Sequence, residues 1–372
     1  MSKILAFDRD RRSTHADLAA RLKTRSGNGA VPTPLRRTEG SLARPGEVEV
    51  AATVVVPTRG RPQLLNRCLA SLVLQRFDPA RFEIIVVDDG PDDDTREVVA
   101  GWAAHTAGQG PRITYIPSMG PHGPAAARNH GWRAARGGII AFTDDDTIAR
   151  ADWLKNGVRA FEDGVDAVSG RIVMPLSHTP TDYELDAKQL ETAEFVTANC
   201  FCRKQVLDDI GGFDERFRFA WREDSDLQFR LLDYQANIVY EPKAVMMHPI
   251  RPAGWGVSLQ QVKKVQFDAL LYKKHPTLYR RKIRAKPRWD FYITVAALLA
   301  CVALAVAGAT APALLAGLLW FYMTGRFCLQ RLKRTSKAPK HVAEMIVTSA
   351  LIPPLAVFWR LVGDVRFRTR LL

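Results

Sequence analysis

The chain has 372 residues, 47% hydrophobic and 25% charged, enough apolar side chain for one large domain with appendages and too much for a disordered chain. Its formal net charge of +14 favours an anionic partner; the cations Lys273, Lys274, Arg280, Arg281, Lys282, Arg284, Lys286 and Arg288 lead into an apolar stretch, which points to phospholipid headgroups rather than nucleic acid. Five scattered cysteines, Cys68, Cys200, Cys202, Cys301 and Cys328, show no CxxC or Cys/His ligand spacing, so a zinc site and a disulfide framework are excluded and reduced thiols in a cytosolic compartment are expected.

Residues 1–48 are polar and basic, interrupted by Gly27, Gly29, Pro32, Pro34 and Pro45, and read as a flexible arm whose first residues, MSKILAFDRDRR, lack the apolar core of a secretory signal. From Ala52 the texture changes to short apolar runs, Thr53–Val56, Ile84–Val87, Ile113–Ile116 and Ile139–Phe142, separated by helix-like stretches. That alternation predicts an α/β sheet of parallel strands. Leu64, Leu65, Cys68, Leu69, Leu72 and Val73 are spaced along one helix face, and a second helix is predicted from Pro124 to about Arg136, closed by Gly137 and Gly138. Beyond Val245 the alternation ends. A basic amphipathic stretch from about Val262 to Arg288 is expected to lie on a bilayer surface. Phe291–Ala307 and Ala311–Tyr322 are almost uncharged and flanked by cations, predicting a transmembrane hairpin with cytosolic flanks, although each arm is shorter than the roughly 20 residues of a comfortable span. The last apolar run, Val342–Trp359, holds Glu344, Pro353 and Pro354 between basic flanks; it predicts a re-entrant or in-plane element, with a helix packed on the main domain as the alternative.

Open α/β sheets bind ligands where strands end, and here those ends are acidic. The first run ends in Pro57, Thr58 and Arg59, the second in Asp88 and Asp89, the fourth in Asp144, Asp145 and Asp146. If strand geometry persists, Asp144 and Asp146 project to one side and Asp145 to the other. Two hard oxygen ligands converging in a cleft suit Mg²⁺ or Mn²⁺ bridging a diphosphate; the bland alternative is an acidic turn capping the next helix. Asp88 and Asp89 either cap a tight turn or accept from the N–H and O–H groups of a base and ribose. Arg128 sits on a helix of small residues that permits close approach to the sheet, where a guanidinium can pair with nucleotide phosphate or stand as a surface arginine. Glu223 and Asp224 follow the aromatics Phe217, Phe219 and Trp221, a setting that raises a carboxylate pKa and positions a sugar ring, and equally a helix start with acidic caps. His248, at the end of the run Ala244–Met247, offers a late metal ligand or a structural imidazole.

The segments VVVPTRGR, IIVVDDG, GPAAARNHG, IIAFTDDD, GGFDERF and WREDSDL, in this order and approximate spacing, resemble the family 2 glycosyltransferases of the membrane-associated bacterial type, over roughly residues 50–250. The resemblance implies a GT-A fold, a Rossmann-like mixed and mainly parallel sheet with flanking helices, to which membrane-associated C-terminal helices are added. It implies a nucleotide-sugar site at Pro57, Thr58, Arg59, Asp88, Asp89, Arg128, Asp144 and Asp145, and a DxD motif at Asp144 and Asp146 with His248 as a further metal ligand. Asp224 falls on the catalytic base of the ED motif, beside Glu223, and Trp221 and Arg222 stand as acceptor contacts. The expected organisation is then a GT-A domain over 49–250, a basic interfacial linker over 251–289, a hairpin over 290–325 and a basic loop with a re-entrant or interfacial helix over 326–372. The expected reaction moves a sugar from a nucleotide-diphosphate donor, with inversion, to a hydroxyl on a saccharide or lipid-linked glycan of cell-surface polysaccharide synthesis, at the cytosolic face of the inner membrane. The stretch SLQQVKKVQF lacks the Arg-Trp pair of the family's processive synthases, which argues against repeated polymerisation. The rival readings are a catalytically silent nucleotide-sugar-binding adaptor in the membrane and a nucleotidyltransferase.

Overall fold

The computed structural model describes residues 49–176 and 178–370; the arm expected over 1–48 lies outside the described residues. The strands β1 (Ala52–Thr58), β2 (Phe82–Asp88), β3 (Arg112–Pro117), β4 (Ile139–Phe142), β5 (Ile148–Ala149), β6 (Ala167–Val173), β7 (Cys200–Arg203) and β8 (Ile238–Met247) form one sheet in the order β3-β2-β1-β4-β7-β6-β8-β5. All four apolar runs picked from the sequence are strands, and β1 pairs parallel with both β2 and β4, as β2 does with β3. The sheet becomes mixed beyond them, because β7 runs antiparallel to β4 and β6 while β8 returns parallel to β6.

Helices α1 (Pro62–Val73), α2 (Asp93–Thr106), α3 (Pro124–Ala134), α4 (Trp153–Arg159), α5 (Asp182–Ala187), α6 (Lys204–Ile210) and α7 (Glu223–Asp233) accompany the strands. Side chains alternate across β1. Val54 and Val56 pack with Leu65, Leu69 and Trp153 on one face of the sheet, and Val55 packs with Trp132, Leu207 and Leu227 on the other. β2 is buried along its whole length, as a strand sandwiched between two layers must be. α3 begins with Pro124 directly after Gly123, whose φ of +124° and whose missing side chain, which would meet the Arg218 carbonyl oxygen at 2.9 Å, require glycine.

The C-terminal part comprises α8 (Val257–Val262), α9 (Gln266–Lys274), α10 (Trp289–Val306), α11 (Thr310–Leu332) and α12 (Pro339–Phe367). The stretch expected to lie on a bilayer surface instead turns its apolar side chains into the protein: Phe267, Leu270 and Leu271 are buried with Phe217 and Phe229. The run expected as a re-entrant or in-plane element, or as a helix packed on the main domain, lies within α12, one continuous helix of 29 residues that carries Pro353 and Pro354 in its interior. All three of α10, α11 and α12 are long and apolar enough to cross a membrane, but they differ in packing. Only 17% of the apolar window of α10 and of α11 is buried, with Leu299, Leu315 and Phe321 exposed, whereas 39% of that of α12 is covered. α12 therefore packs the apolar helices onto the segment that follows the sheet, through Ile352 and Ala356 against Val262 and Val265, with Trp221 of the main domain against the same cluster.

Candidate active site

The parallel register sets Thr58 beside Asp88, so the ends of β1 and β2 open on the same edge as the turn after β4. That turn, residues 143–147, is tied down by its own threonines: Thr143 and Thr147 share a hydroxyl hydrogen bond of 2.7 Å, and the Thr147 hydroxyl donates to the Asp144 carbonyl. Asp144 and Asp146 come out on the cleft side with His248, which follows β8, and ligand atoms from the three lie within 4.8 Å of one another. His248 Nε2 stands 3.6 Å from Asp146 Oδ1. The donor set of two carboxylates and an imidazole, on the cleft and not sealed away, fits a divalent cation.

Asp145 points the other way, as strand alternation requires, and has no exposed surface. Grouped with the nucleotide contacts on sequence grounds, it instead accepts a 2.7 Å hydrogen bond from Thr58 Oγ1 and faces Arg61 at 3.1 Å, so it props the turn from behind. Burial pushes its carboxyl up to about 6 against these two partners.

Arg128 is 3% exposed and uses both arms within the site: one reaches Asp144 Oδ1 at 2.7 Å, the other Glu223 Oε1 at 3.3 Å. Burial opposes ionisation of Asp144, but the Arg128 guanidinium holds its carboxyl below the usual range. With its arms so engaged, Arg128 ties the turn over 143–147 to α7. Glu223 sits in the first turn of α7, fully enclosed, and burial together with the adjacent Asp224 charge pushes it up to about 7. Asp224 is the more open of the two; burial raises its pKa as well, and its Oδ1 accepts from the Ser225 amide at 2.6 Å.

Asp88 and Asp89 reach the same edge by way of turn contacts. Asp88 is fully buried, accepting from Tyr115 Oη at 2.9 Å and from the Gly90 amide at 3.2 Å. Both Asp89 oxygens accept from the Gly123 amide at 3.0 Å, and the exposed Arg59 approaches one of them at 3.6 Å. Pro57 is half-buried at the mouth of β1. Arg222, expected at the acceptor, turns inward: it adopts a left-handed φ of +75°, donates to Asp268 Oδ1 at 2.7 Å and lies 4.4 Å over the Trp221 ring, whose own N–H also donates to Asp268. The half-buried Trp221 ring packs against the apolar clusters around Phe267 and Ile352.

Three residues that the sequence reading passed over belong to the site. Arg251 reaches Asp146 at 3.0 Å and Arg61 approaches it at 3.9 Å. Their signal was proximity, Arg61 three residues past Thr58 and Arg251 three past His248. Lys264 is half-buried; burial pulls its ammonium down while the Glu223 charge opposes that.

The chain matches the family "Glycosyl transferase family 2" over residues 53–220 and "Glycosyl transferase family group 2" over residues 139–362. It is similar to the glycosyltransferase AglE of Haloferax volcanii, at 26% identity over 54% of this chain and 68% of that one. It is also similar to a pre-mycofactocin glycosyltransferase of Mycobacterium tuberculosis, at 34% identity over 54% of this chain and 43% of that one, so it spans less than half the length of that relative. Among solved structures, a mannosyltransferase from Pyrobaculum calidifontis in complex with GDP-Man and Mn²⁺ superposes with a TM-score of 0.56 at 21% identity, covering 87% of this chain and 91% of the other; at that identity the likeness is one of fold. With the mixed sheet and flanking helices of a GT-A enzyme and a family match over residues 139–362, the chain belongs to the family 2 glycosyltransferases.

Proposed function

We propose that this protein is an inverting, non-processive glycosyltransferase that moves one sugar from a nucleoside-diphosphate donor to a hydroxyl of a lipid-linked glycan at the cytosolic face of the inner membrane, in cell-surface polysaccharide synthesis. The observation that carries the reading is the Asp144, Asp146 and His248 cluster lying one guanidinium away from the Glu223–Asp224 pair. Carboxylate oxygens with one imidazole favour Mn²⁺, with Mg²⁺ as the alternative. Bound there, the cation supplies charge neutralisation for the departing nucleoside diphosphate.

The chain's own groups do the rest. Asp224 Oδ1 is held by the Ser225 amide and hydroxyl, which leaves Oδ2 to take the acceptor proton as the hydroxyl oxygen attacks the anomeric carbon. Its raised pKa makes it a stronger base than an ordinary carboxylate. Arg128 spaces this base from the diphosphate end by gripping Asp144 and Glu223 together. The apolar helices α10, α11 and α12 support presentation of the acceptor from a membrane. Replacing Asp224 with Asn is expected to cut transfer by about 10²–10⁴ while donor binding persists. Product formation by the full chain in lipid nanodiscs measures it, and unchanged turnover would remove Asp224 from the reaction.

A further inference from the structure

Beside the metal-ligand cluster, a cavity of about 230 Å³ opens between the main domain and the C-terminal helices. Its wall on one side carries Tyr183 of α5 and Arg251, the residue that reaches Asp146 at 3.0 Å; on the other it carries Arg331 of α11 and His341 and Glu344 of α12, with Ser258 of α8 between. Part of the lining is buried and polar. Ser258 and His341 are 3% and 6% exposed, and neither the Ser258 hydroxyl nor either ring nitrogen of His341 has a hydrogen-bond partner among the described residues. A buried donor or acceptor left unmatched is costly, and a ligand supplying the missing partners recovers that cost.

The charges in the wall are already paired; the second terminal nitrogen of Arg331, which has no hydrogen-bond partner among the described residues, lies 3.0 Å from an Asp182 oxygen. Arg331 Nε donates to Asp182 at 3.0 Å and one of its terminal nitrogens donates to Thr348 and Ser349; Glu344 accepts from the Gly256 amide at 2.7 Å. A phosphate would have to break these pairs. A neutral polyol would not, because its hydroxyls both donate and accept and so match a serine hydroxyl, a phenol and an imidazole at once. The volume lies below the roughly 300 Å³ at which pockets for drug-sized ligands begin, the scale of a sugar residue.

We infer that this cavity seats the sugar residue of the acceptor, held by Ser258 and His341 so that its hydroxyl enters the cleft past Arg251 on the side of Asp224, the base that takes its proton. This rests on the transferase reading and gives the acceptor sugar its seat. The ligand chemistry is a neutral saccharide, and its source is either a lipid-linked glycan entering along α11 and α12 or a free sugar.

The test uses the full chain in nanodiscs with an Mn²⁺ and nucleoside-diphosphate-sugar panel, first for donor-induced thermal stabilisation and then for nucleoside diphosphate release in the presence of octyl glycosides or the matching methyl glycosides below micellar concentration. Acceleration by octyl glycosides alone supports the saccharide seat with a lipid-linked source; equal acceleration by methyl glycosides supports it with a soluble source. Ser258→Ala and His341→Gln are each expected to raise the acceptor KM by about tenfold, the loss of one neutral hydrogen bond, with the donor-induced shift retained. Ala253→Trp, on the exposed rim, is expected to block acceptor use outright. If the donor binds but no glycoside accelerates release, or if KM is unmoved in both Ser258→Ala and His341→Gln, the saccharide seat is overturned while the transferase reading stands. Absence of any donor-induced shift would instead bring down the transferase reading.

Discussion

The strand-end cleft and the joint beneath the C-terminal helices handle charge in opposite ways. In the cleft, Asp144, Asp224 and His248 each engage partners yet keep part of their surface open to a ligand. In the joint, Asp268 is closed off between Arg222 at 2.7 Å and Arg360 at 3.6 Å, with Tyr279 donating to its second oxygen at 3.3 Å. The first arrangement stores reactivity, and the second fixes where α12 meets the segment that leads into Glu223 and Asp224. Removing a charge should therefore silence one region and unfold the other.

The largest effect on folding is expected at the joint. Asp268→Ala leaves Arg222 and Arg360 buried without their carboxylate, which costs about 3–5 kcal/mol; thermal unfolding of the nanodisc-embedded chain measures it. Gly157→Ala perturbs the sheet without touching either charged region. Its new methyl group would fall 2.1 Å from the Phe201 ring, so the expected loss is about 1–3 kcal/mol in the same melt, with the metal dependence of donor binding intact.

A pH titration separates activity from stability within the cleft. Burial raises Asp224 above an ordinary carboxylate, as it raises Glu223 from 4.5 to about 7, so transfer should fall toward acid pH as Asp224 takes up its proton. The stability consequence has the opposite sign. Because folded Glu223 keeps a proton that the unfolded chain releases, its contribution to stability is complete below 4.5 and is lost as pH rises through about 7. A flat rate profile between pH 5 and 8 would contradict the pairing. The smallest effect belongs to Arg96→Ala, which removes an exposed pair with Asp93 far from both regions and should move the melt by less than about 0.5 kcal/mol.

The two regions also differed in how far they could be read in advance. The cleft was legible because short apolar runs locate strands, strands place the residues that follow them at one edge, and a period of two separates Asp144 and Asp146 from Asp145. What that logic missed was which carboxylates stay reachable: Asp88 and Asp145 sit at the expected strand ends, yet tertiary partners, Tyr115 and Thr58, close them off. The joint was barely legible. The cations and apolar residues between Val262 and Arg288 have the pattern of a membrane-surface helix, and nothing local says that Phe267 and Leu271 face Phe217 and Phe229 rather than lipid. Arg222 shows the same limit, since its inward turn depends on Asp268, 46 residues away.

The central claim is that Asp144, Asp146 and His248 hold a divalent cation that fixes the donor diphosphate. Thermal shift of the full chain with nucleoside-diphosphate sugars, with and without Mn²⁺, tests it most directly, because a ligand bound only by the folded state raises the melting point with saturation. A donor-induced shift that requires Mn²⁺ and vanishes in Asp146→Asn is the predicted result; a shift of equal size without metal, or one that survives in Asp146→Asn, would contradict it.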